Sequence, residues 1–588
     1  MFPLRPNEPD YALLKDPDSQ SHNRYGKPIE TVPEGHALRD QSLNINRDAA
    51  IGANPNRYKQ HGFFFNADNC IACHACEAAC SEKNDNPAHI AFRSVGFVEG
   101  GTYPNYQRIN ISMACNHCDD PVCLKGCPTR AYTKFAEYGA VLQDPDICFG
   151  CGYCTWVCPY NAPQLDPIKG QVSKCNMCVD RLEVGLKPAC VSACLGKALD
   201  FGVIENIPEG RSQAKTEIPG FPRTDITHPN VRFQQTRATQ RDMVRVDSTP
   251  LKYHRDDNDG VFRPELDPKY GFARQWNLKK LLGSHENAHI AFTLAAQTVM
   301  GAFVLLRLPD FSALNSLVTL FALLAVLSFG MFKLNMHLGK PLRFYRGFNN
   351  WRLSPVSREI AGVSLFFAGL AGFTFFSLFP GFPFAEWLKP ASAAASLLGT
   401  AFGGYYMYKL YRIKARPFWD HWQTGSSFIG TGLGLGGLLL GLLALAQGTM
   451  TAQLAAGLGA LMALGFGLEG IGLLAHARAM RTRGNEGAAS HYEQTTRYGW
   501  PYLLRNGLLG VSLMLALALA LSGAAALFAP LALSALAAAV LGRALFYVLV
   551  IPTTMPGAFF WKNRGFQEHA RESGLADMPQ VGVVPHGH

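Results

Sequence analysis

Apolar residues follow two different rules along this chain. Beyond Asn287 they run in near-continuous stretches rich in Leu, Ala, Gly and Phe, broken by short polar segments. Before it they come in short runs interrupted by proline, glycine and charge, without a sustained helical period. A helix needs about 20 apolar residues to span hydrocarbon. Eight stretches qualify, at 287–308, 313–334, 359–380, 391–411, 425–446, 453–475, 501–527 and 531–552. Eight crossings return the chain to the side on which it entered. The pattern predicts an all-α bundle over 286–555, behind a polar front part and ahead of a polar tail at 556–588.

Charge sets the expected orientation. Entry-side loops at 333–358, 409–424 and 476–500 hold 6, 4 and 4 Lys plus Arg, whereas 307–312 and 380–390 hold one each and the other two opposite loops none. This positive-inside asymmetry predicts a cytoplasmic entry side. Trp351, Trp419, Trp422, Trp500 and Trp561 gather there too, as interfacial anchors do. In a competing reading the basic loops dock the front domain, and a partner with its own twin-arginine signal carries that domain outward. The opening MFPLRPNEPDYALLKDPDSQ has neither the apolar core of a secretory signal nor twin arginines, so export by this chain alone is not expected. Residues 1–62, rich in Asn, Asp, Pro and Arg, read as a polar arm lying on another surface or as a disordered tail.

Averages conceal this division, since a mean hydropathy of +0.02 with 17% charged residues describes an ordinary soluble protein. All 16 cysteines lie between Cys70 and Cys194, in four groups. They are CIACHACEAAC (Cys70, Cys73, Cys76, Cys80), CNHCDDPVCLKGCP (Cys115, Cys118, Cys123, Cys127), CFGCGYCTWVCP (Cys148, Cys151, Cys154, Cys158) and CNMCVDRLEVGLKPACVSAC (Cys175, Cys178, Cys190, Cys194). The first and third match the C-x2-C-x2-C-x3-C run in which three thiolates hold one iron-sulfur cluster and the fourth ligates its partner. The spacing curls the backbone around a soft anionic cube and lets loop amides point at sulfur. Disulfides would require an oxidising, exported setting. Zinc ribbons use paired C-x2-C hooks, which suits groups two and four in isolation but not the triple runs.

On these motifs residues 63–203 resemble the four-cluster iron-sulfur subunits serving molybdopterin oxidoreductases of the dimethyl sulfoxide reductase family. The resemblance implies an α+β ferredoxin-like domain with four [4Fe-4S] clusters. It also implies the ligand sets: Cys70, Cys73, Cys76 and Cys194; Cys175, Cys178, Cys190 and Cys80; Cys115, Cys118, Cys123 and Cys158; Cys148, Cys151, Cys154 and Cys127. Some relatives replace the residue at Cys151 and carry a three-iron cluster, so its presence implies four cubanes. Leu195 stands where the family usually has proline, which removes no ligand. By the same resemblance the third group's cluster lies nearest the membrane and the first group's nearest the molybdenum.

The segments NAHIAFTLAAQTVMGAFVLL, MHLGKPLRFYRGFNN, SREIAGVSLFF and LGRALFYVLVIP resemble the membrane anchor subunit of the same family. Two usually separate subunits are therefore expected to be fused. Residues 204–285 between them, proline-rich and charged with scattered aromatics, read as a mostly irregular strap.

Intramembrane charge is costly and suggests function or pairing. Glu469, Arg505 and Arg543 fall in the entry-side half of their spans, and His289, His337 and Glu359 at entry-side span ends. No histidine is mid-span, so haem is not expected. The remaining membrane redox partner is a quinone (menaquinone or ubiquinone), whose two-electron chemistry needs two protons. The resemblance implies a quinol-linked carboxylate at Glu359, while His337 and Arg343 fall in the family's H-L-G-x-P-x-R motif. Arg343, Arg346 and Arg358 also suit lipid-headgroup or subunit contacts, and Glu469 with Arg505 or Arg543 suits a structural pair.

The reading is an electron-transfer and anchor subunit, multi-pass in a bacterial-type inner membrane, joining the quinone pool to a separate molybdopterin catalytic subunit, with no nucleic-acid partner. An exported partner favours a quinol-oxidising reductase, a cytoplasmic one a quinone-reducing, sulfite dehydrogenase-like complex. The rivals are a quinone-linked complex with a multihaem partner, and a transporter with a cluster-based sensor, which would show repeated or broken spans.

Overall fold

In the computed structural model the described residues are 12–13, 59–87, 89–204, 218–235, 239–245, 250–267, 273–283, 286–550 and 553. Most of the arm at 1–62, the tail at 556–588 and Trp561 lie outside them. The chain forms two compact units, Met1–Glu265 with Pro552–Gly587, and Leu266–Ile551 with His588.

The first unit is β-rich. Strand β1 (His61–Asn66), with the run HGFFFN, is buried along its whole length. A strand covered on both faces reads as continuous rather than alternating apolarity. Strands β2 (Arg93–Gly100) and β3 (Gln107–Ala114) pair antiparallel. Two small hairpins follow, β4 (Tyr132–Lys134) with β5 (Val141–Gln143) and β6 (Gln164–Asp166) with β7 (Gln171–Ser173). Strand β8 (Leu199–Val203) lies antiparallel to β1. Five short helices lie within or beside the cysteine groups: α1 (Ala75–Lys83), α2 (Val122–Gly126), α3 (Tyr153–Val157), α4 (Val179–Leu182) and α5 (Ala189–Ser192). Helix α1 packs on α5 and α2 on α3, so the first cysteine group meets the fourth and the second meets the third.

The segment expected to be an irregular strap is instead partly sheet. It supplies β9 (Val231–Gln234), β10 (Asp242–Arg245), β11 (Leu251–Arg255) and β12 (Phe262–Leu266). Strand β9 runs parallel to β1, completing a sheet of order β8-β1-β9, and β10 joins β2 in a sheet of order β12-β11-β10-β2-β3. The first unit therefore continues to Glu265 rather than ending at 203. These strands are four or five residues long and rich in charge, so their alternation is faint. The partners of β9 and β10, in β1 and β2, lie more than a hundred residues away, beyond local pattern.

The second unit is helical: α6 (Leu278–Leu282), α7 (Asn287–Leu305), α8 (Leu317–His337), α9 (Pro355–Leu378), α10 (Ala385–Leu410), α11 (Gln423–Ala446), α12 (Ala452–Thr482), α13 (Gly487–Thr495), α14 (Gly499–Ser522) and α15 (Phe528–Val548). Among the described residues seven helices are long and apolar enough to cross a membrane, namely α7, α8, α9, α11, α12, α14 and α15. Helix α10 has 26 residues but is less apolar, with Glu386, Lys389 and Lys409 near its ends. Caps explain why some helices start before their apolar stretch. Ser354 Oγ accepts from Ser357 N–H at 3.3 Å with Pro355 opening the first turn, which brings Arg358 and Glu359 inside α9.

Small residues let these helices touch backbone to backbone, since lipid offers no hydrophobic drive for association. A Cβ on Gly362 of α9 would collide with the Gly403 backbone of α10, and one on Gly301 of α7 with Gly432 of α11. Gly362→Val should therefore overpack the α9–α10 crossing and cost about 1–3 kcal/mol. Gly404→Val, which meets nothing within 4 Å, should behave as wild type. Thermal aggregation of the purified, detergent-solubilised protein measures the difference.

Candidate functional site

Each cysteine group begins with the same local turn. The residue two after the first cysteine has a left-handed backbone: Ala72 (φ 53°), His117 (φ 42°), Gly150 (φ 75°) and Met177 (φ 60°). That conformation strains any residue but glycine, and only one of the four is glycine. It curls the following amides inward, so Gly150 N–H donates to Cys148 Sγ and Met177 N–H to Cys175 Sγ, each at 3.4 Å. Ala131 N–H and Leu199 N–H donate to Cys127 Sγ and Cys194 Sγ at 3.4 and 3.3 Å.

None of the sixteen cysteines is in a disulfide. One cavity of about 350 Å³ is lined by Cys70, Cys73, Cys76 and Cys194. Another of about 360 Å³ is lined by Cys115, Cys118, Cys123 and Cys158. Cys80 lies in the field of Cys190, Cys175 and Cys178, and Cys154 in that of Cys151, Cys148 and Cys127. The fold thus brings thiols from distant parts of the chain together, Cys194 beside the first group and Cys158 beside the second.

Burial pushes the thiols of Cys76, Cys158 and Cys175 up to about 11. Bare thiolates there would be expensive, and soft cations that displace the protons relieve that cost. Two buried cations report the same demand. Arg93, 1% exposed, donates through Nη1 to Ser112 Oγ at 3.1 Å, while its Nε and Nη2 find no acceptor. It lies in the field of Cys190, Cys76, Cys80 and Cys175. Lys174, 5% exposed, reaches Cys115 Sγ at 3.5 Å and the Cys175 carbonyl at 2.8 Å. Burial, then Lys174 and Lys134, hold the His117 imidazole well below its ordinary range, so it stays neutral and accepts from Val141 N–H at 3.0 Å. Orphaned guanidinium N–H groups among soft donors fit an anionic iron-sulfur centre. Arg93 and Lys174 were not identified from sequence; Lys174 directly precedes Cys175, the one local signal.

In the second unit polar side chains meet where α7 and α9 begin and α8, α10 and α15 end. The His289 and His337 rings lie 4.7 Å apart, and Glu286 Oε2 is 2.9 Å from His289 Nδ1. The Tyr547 ring is 5.8 Å from that of His289, and its hydroxyl is 2.6 Å from that of Tyr411. Tyr411 in turn lies in the field of Glu359. Glu359, 7% exposed, is held by no ion pair or hydrogen bond among the described residues. Tyr411, Tyr547 and Glu286 were not singled out from sequence, because tyrosines and a glutamate at helix ends ordinarily read as interfacial.

Glu469, Arg505 and Arg543 line one cavity of about 470 Å³ with Gln423, Thr431, His476 and Gln494. Arg543 Nη2 donates to Gln297 Oε1 at 2.6 Å and Thr431 Oγ1 at 3.3 Å. Arg505, 3% exposed, has an Nε without an acceptor, and Glu469 lies in the field of both arginines. Arg343 sits half-buried in the 3₁₀ segment Pro341–Phe348, away from this lining. Arg358 folds its own loop, donating to the Trp351 carbonyl at 2.8 Å and to Tyr406 Oη at 3.0 Å.

Comparison with known proteins covers both units. A 4Fe-4S dicluster domain matches residues 107–204, and the DMSO reductase anchor subunit (DmsC) family matches residues 281–549. One of the polypeptides of the anaerobic dimethyl sulfoxide reductase of Escherichia coli is 39% identical over 180 residues, 29% of this protein and 87% of that one. Its Haemophilus influenzae counterpart is 40% identical over 182 residues, 29% of this protein and 88% of that one. A polypeptide of the sulfite dehydrogenase of Allochromatium vinosum is 36% identical over 173 residues, covering 26% and 72% respectively. The protein belongs to the dimethyl sulfoxide reductase family of iron-sulfur subunits, and joins that electron-transfer module and the family's membrane anchor in one polypeptide.

Proposed function

We propose that this subunit passes electrons between a membrane quinone pool and a separate molybdopterin catalytic subunit, through four [4Fe-4S] clusters in a ferredoxin-like unit and a quinone site in an eight-span anchor. The reading is supported by the gathering of cysteines from distant parts of the chain around cavities flanked by buried Arg93 and Lys174. The ligands are Cys70, Cys73, Cys76 and Cys194; Cys175, Cys178, Cys190 and Cys80; Cys115, Cys118, Cys123 and Cys158; and Cys148, Cys151, Cys154 and Cys127. Bound clusters supply one-electron relay and do no bond chemistry. The protein's part is to hold the sulfurs, aim amides at them and set the local charge.

At the quinone end Glu359 exchanges the proton that accompanies each electron, and the hydrogen-bonded Tyr411 and Tyr547 hold the head-group. His337, with His289 and Glu286, connects this site to the helix ends. The unpartnered carboxyl of Glu359 supports this role, because a buried group already paired could not change protonation cheaply. Glu469, Arg505 and Arg543 supply a polar wall, and Arg343 serves the interface rather than the pocket. The anchor resides in an inner membrane with the cluster unit on the cytoplasmic side, following the basic loops. The sulfite dehydrogenase relative supports a second direction of flow, from catalytic subunit to quinone.

Purified protein should contain about sixteen iron and sixteen acid-labile sulfide per chain, four cubanes' worth. Cys80→Ser should alter the electron paramagnetic resonance signal of the cluster held by the fourth group, not the one built from its own sequence neighbours. A content well below four cubanes would remove the reading.

Lys174→Gln should lower the reduction potential of an adjacent cluster by on the order of 100 mV, the Coulomb energy of one charge several ångströms away at an effective dielectric of about 20. Potentiometric titration reads the shift.

Glu359→Gln should abolish quinol-linked turnover while dye-linked electron entry into the clusters persists. Loss of both would make Glu359 a structural residue.

A further inference from the structure

Glu286, His289 and His337 form a donor set that electron transfer through the clusters does not require. One ligand atom from each lies within 4.8 Å of the other two. Glu286 Oε2 and His289 Nδ1 are 2.9 Å apart, and the imidazole rings of His289 and His337 meet edge to face at 79°. The residues come from the two ends that α7 and α8 bring together: Glu286 caps α7, His289 is in its first turn and His337 closes α8. All three are half-buried, so the site is reachable yet walled, with Tyr547 behind His289.

We propose that this trio binds one Zn²⁺ ion, and that zinc there blocks quinone-linked turnover by tying up His337. Two imidazoles and a carboxylate are a donor set of catalytic zinc sites, which leave a fourth position for water. In a tetrahedral site with metal–ligand bonds of about 2.0–2.1 Å the ligand atoms stand roughly 3.4 Å apart. The ligand atoms, all within 4.8 Å of one another, already stand close to that spacing. Imidazole donors favour zinc over magnesium or calcium, which take oxygen shells. The blocking arm rests on the quinone reading above; the binding arm does not.

The test uses the full-length protein at full iron content, in detergent, dialysed against Zn²⁺. One zinc per chain is expected beyond the iron. Its X-ray absorption should show a nitrogen and oxygen shell near ~2.0–2.1 Å, not the sulfur shell near ~2.3 Å that zinc in a damaged cysteine site would give. Glu286→Gln and His289→Gln should each weaken binding at least tenfold, with unchanged iron content as the check on folding. Zinc should inhibit quinol-linked but not dye-linked turnover in wild type, reversed by a chelator. Absence of bound zinc, a sulfur shell, or binding indifferent to both substitutions overturns the site. Trio-dependent binding without inhibition keeps the site and overturns its link to the quinone reaction. Failure of the quinone reading itself would appear separately, as absence of quinol-linked turnover in zinc-free protein.

Discussion

Burying sulfur donors as anions requires positive charge beside them, and the first unit is organised around that requirement. Arg93 and Lys174 are the most deeply buried arginine and lysine among the unit's described residues, and their neighbours are cysteines rather than carboxylates. An unpaired buried cation costs several kcal/mol, so each is tenable only where anionic sulfur surrounds it. The apolar packing is subordinate to the same chemistry. One core cluster is Ala114, Cys115, Cys118, Cys158, Tyr160, Ala162 and Cys175, and another combines Cys127, Cys148 and Cys154 with Val141 and Val172. The thiols are part of the core, so what binds them also holds the fold together. Small sheets and helices of four to nine residues suffice because the ligands, not long elements, tie distant segments together.

The anchor meets the reverse constraint. Its helices leave large apolar side chains such as Phe321, Phe332, Leu474, Met514 and Leu533 exposed, as a lipid-facing surface requires. Its polar groups are drawn inward and toward one end. Arg543 is satisfied by Gln297 and Thr431 from two other helices, and Tyr411 by Tyr547. Close glycine crossings supply the packing that water would otherwise drive, which leaves the polar groups free to be placed for chemistry.

Much of this was legible in the sequence, for reasons that differ by level. The cysteine spacing carries its own geometry, because the first C-x2-C of every group closes a turn of one kind, as Ala72, His117, Gly150 and Met177 bear out. The apolar stretches were visible because hydrocarbon demands length, although caps such as Ser354 with Pro355 moved helix starts by several residues. The strands at 231–266 were not legible, since Phe233 and Val244 gain their meaning from β1 and β2 far upstream. Nor were Arg93 and Tyr547: an arginine opening a strand and a tyrosine in the last turn of a helix are ordinary locally. Their roles exist only in the company that the fold provides.

Fusion changes the energetics of assembly. As separate polypeptides, a cluster subunit and an anchor would associate at the cost of lost translational freedom, offset by a permanent interface. In one polypeptide their encounter is intramolecular, with effective concentrations in the mM range for a short connection. Weak contacts are then enough to keep the units working together, and their stoichiometry is fixed at one to one.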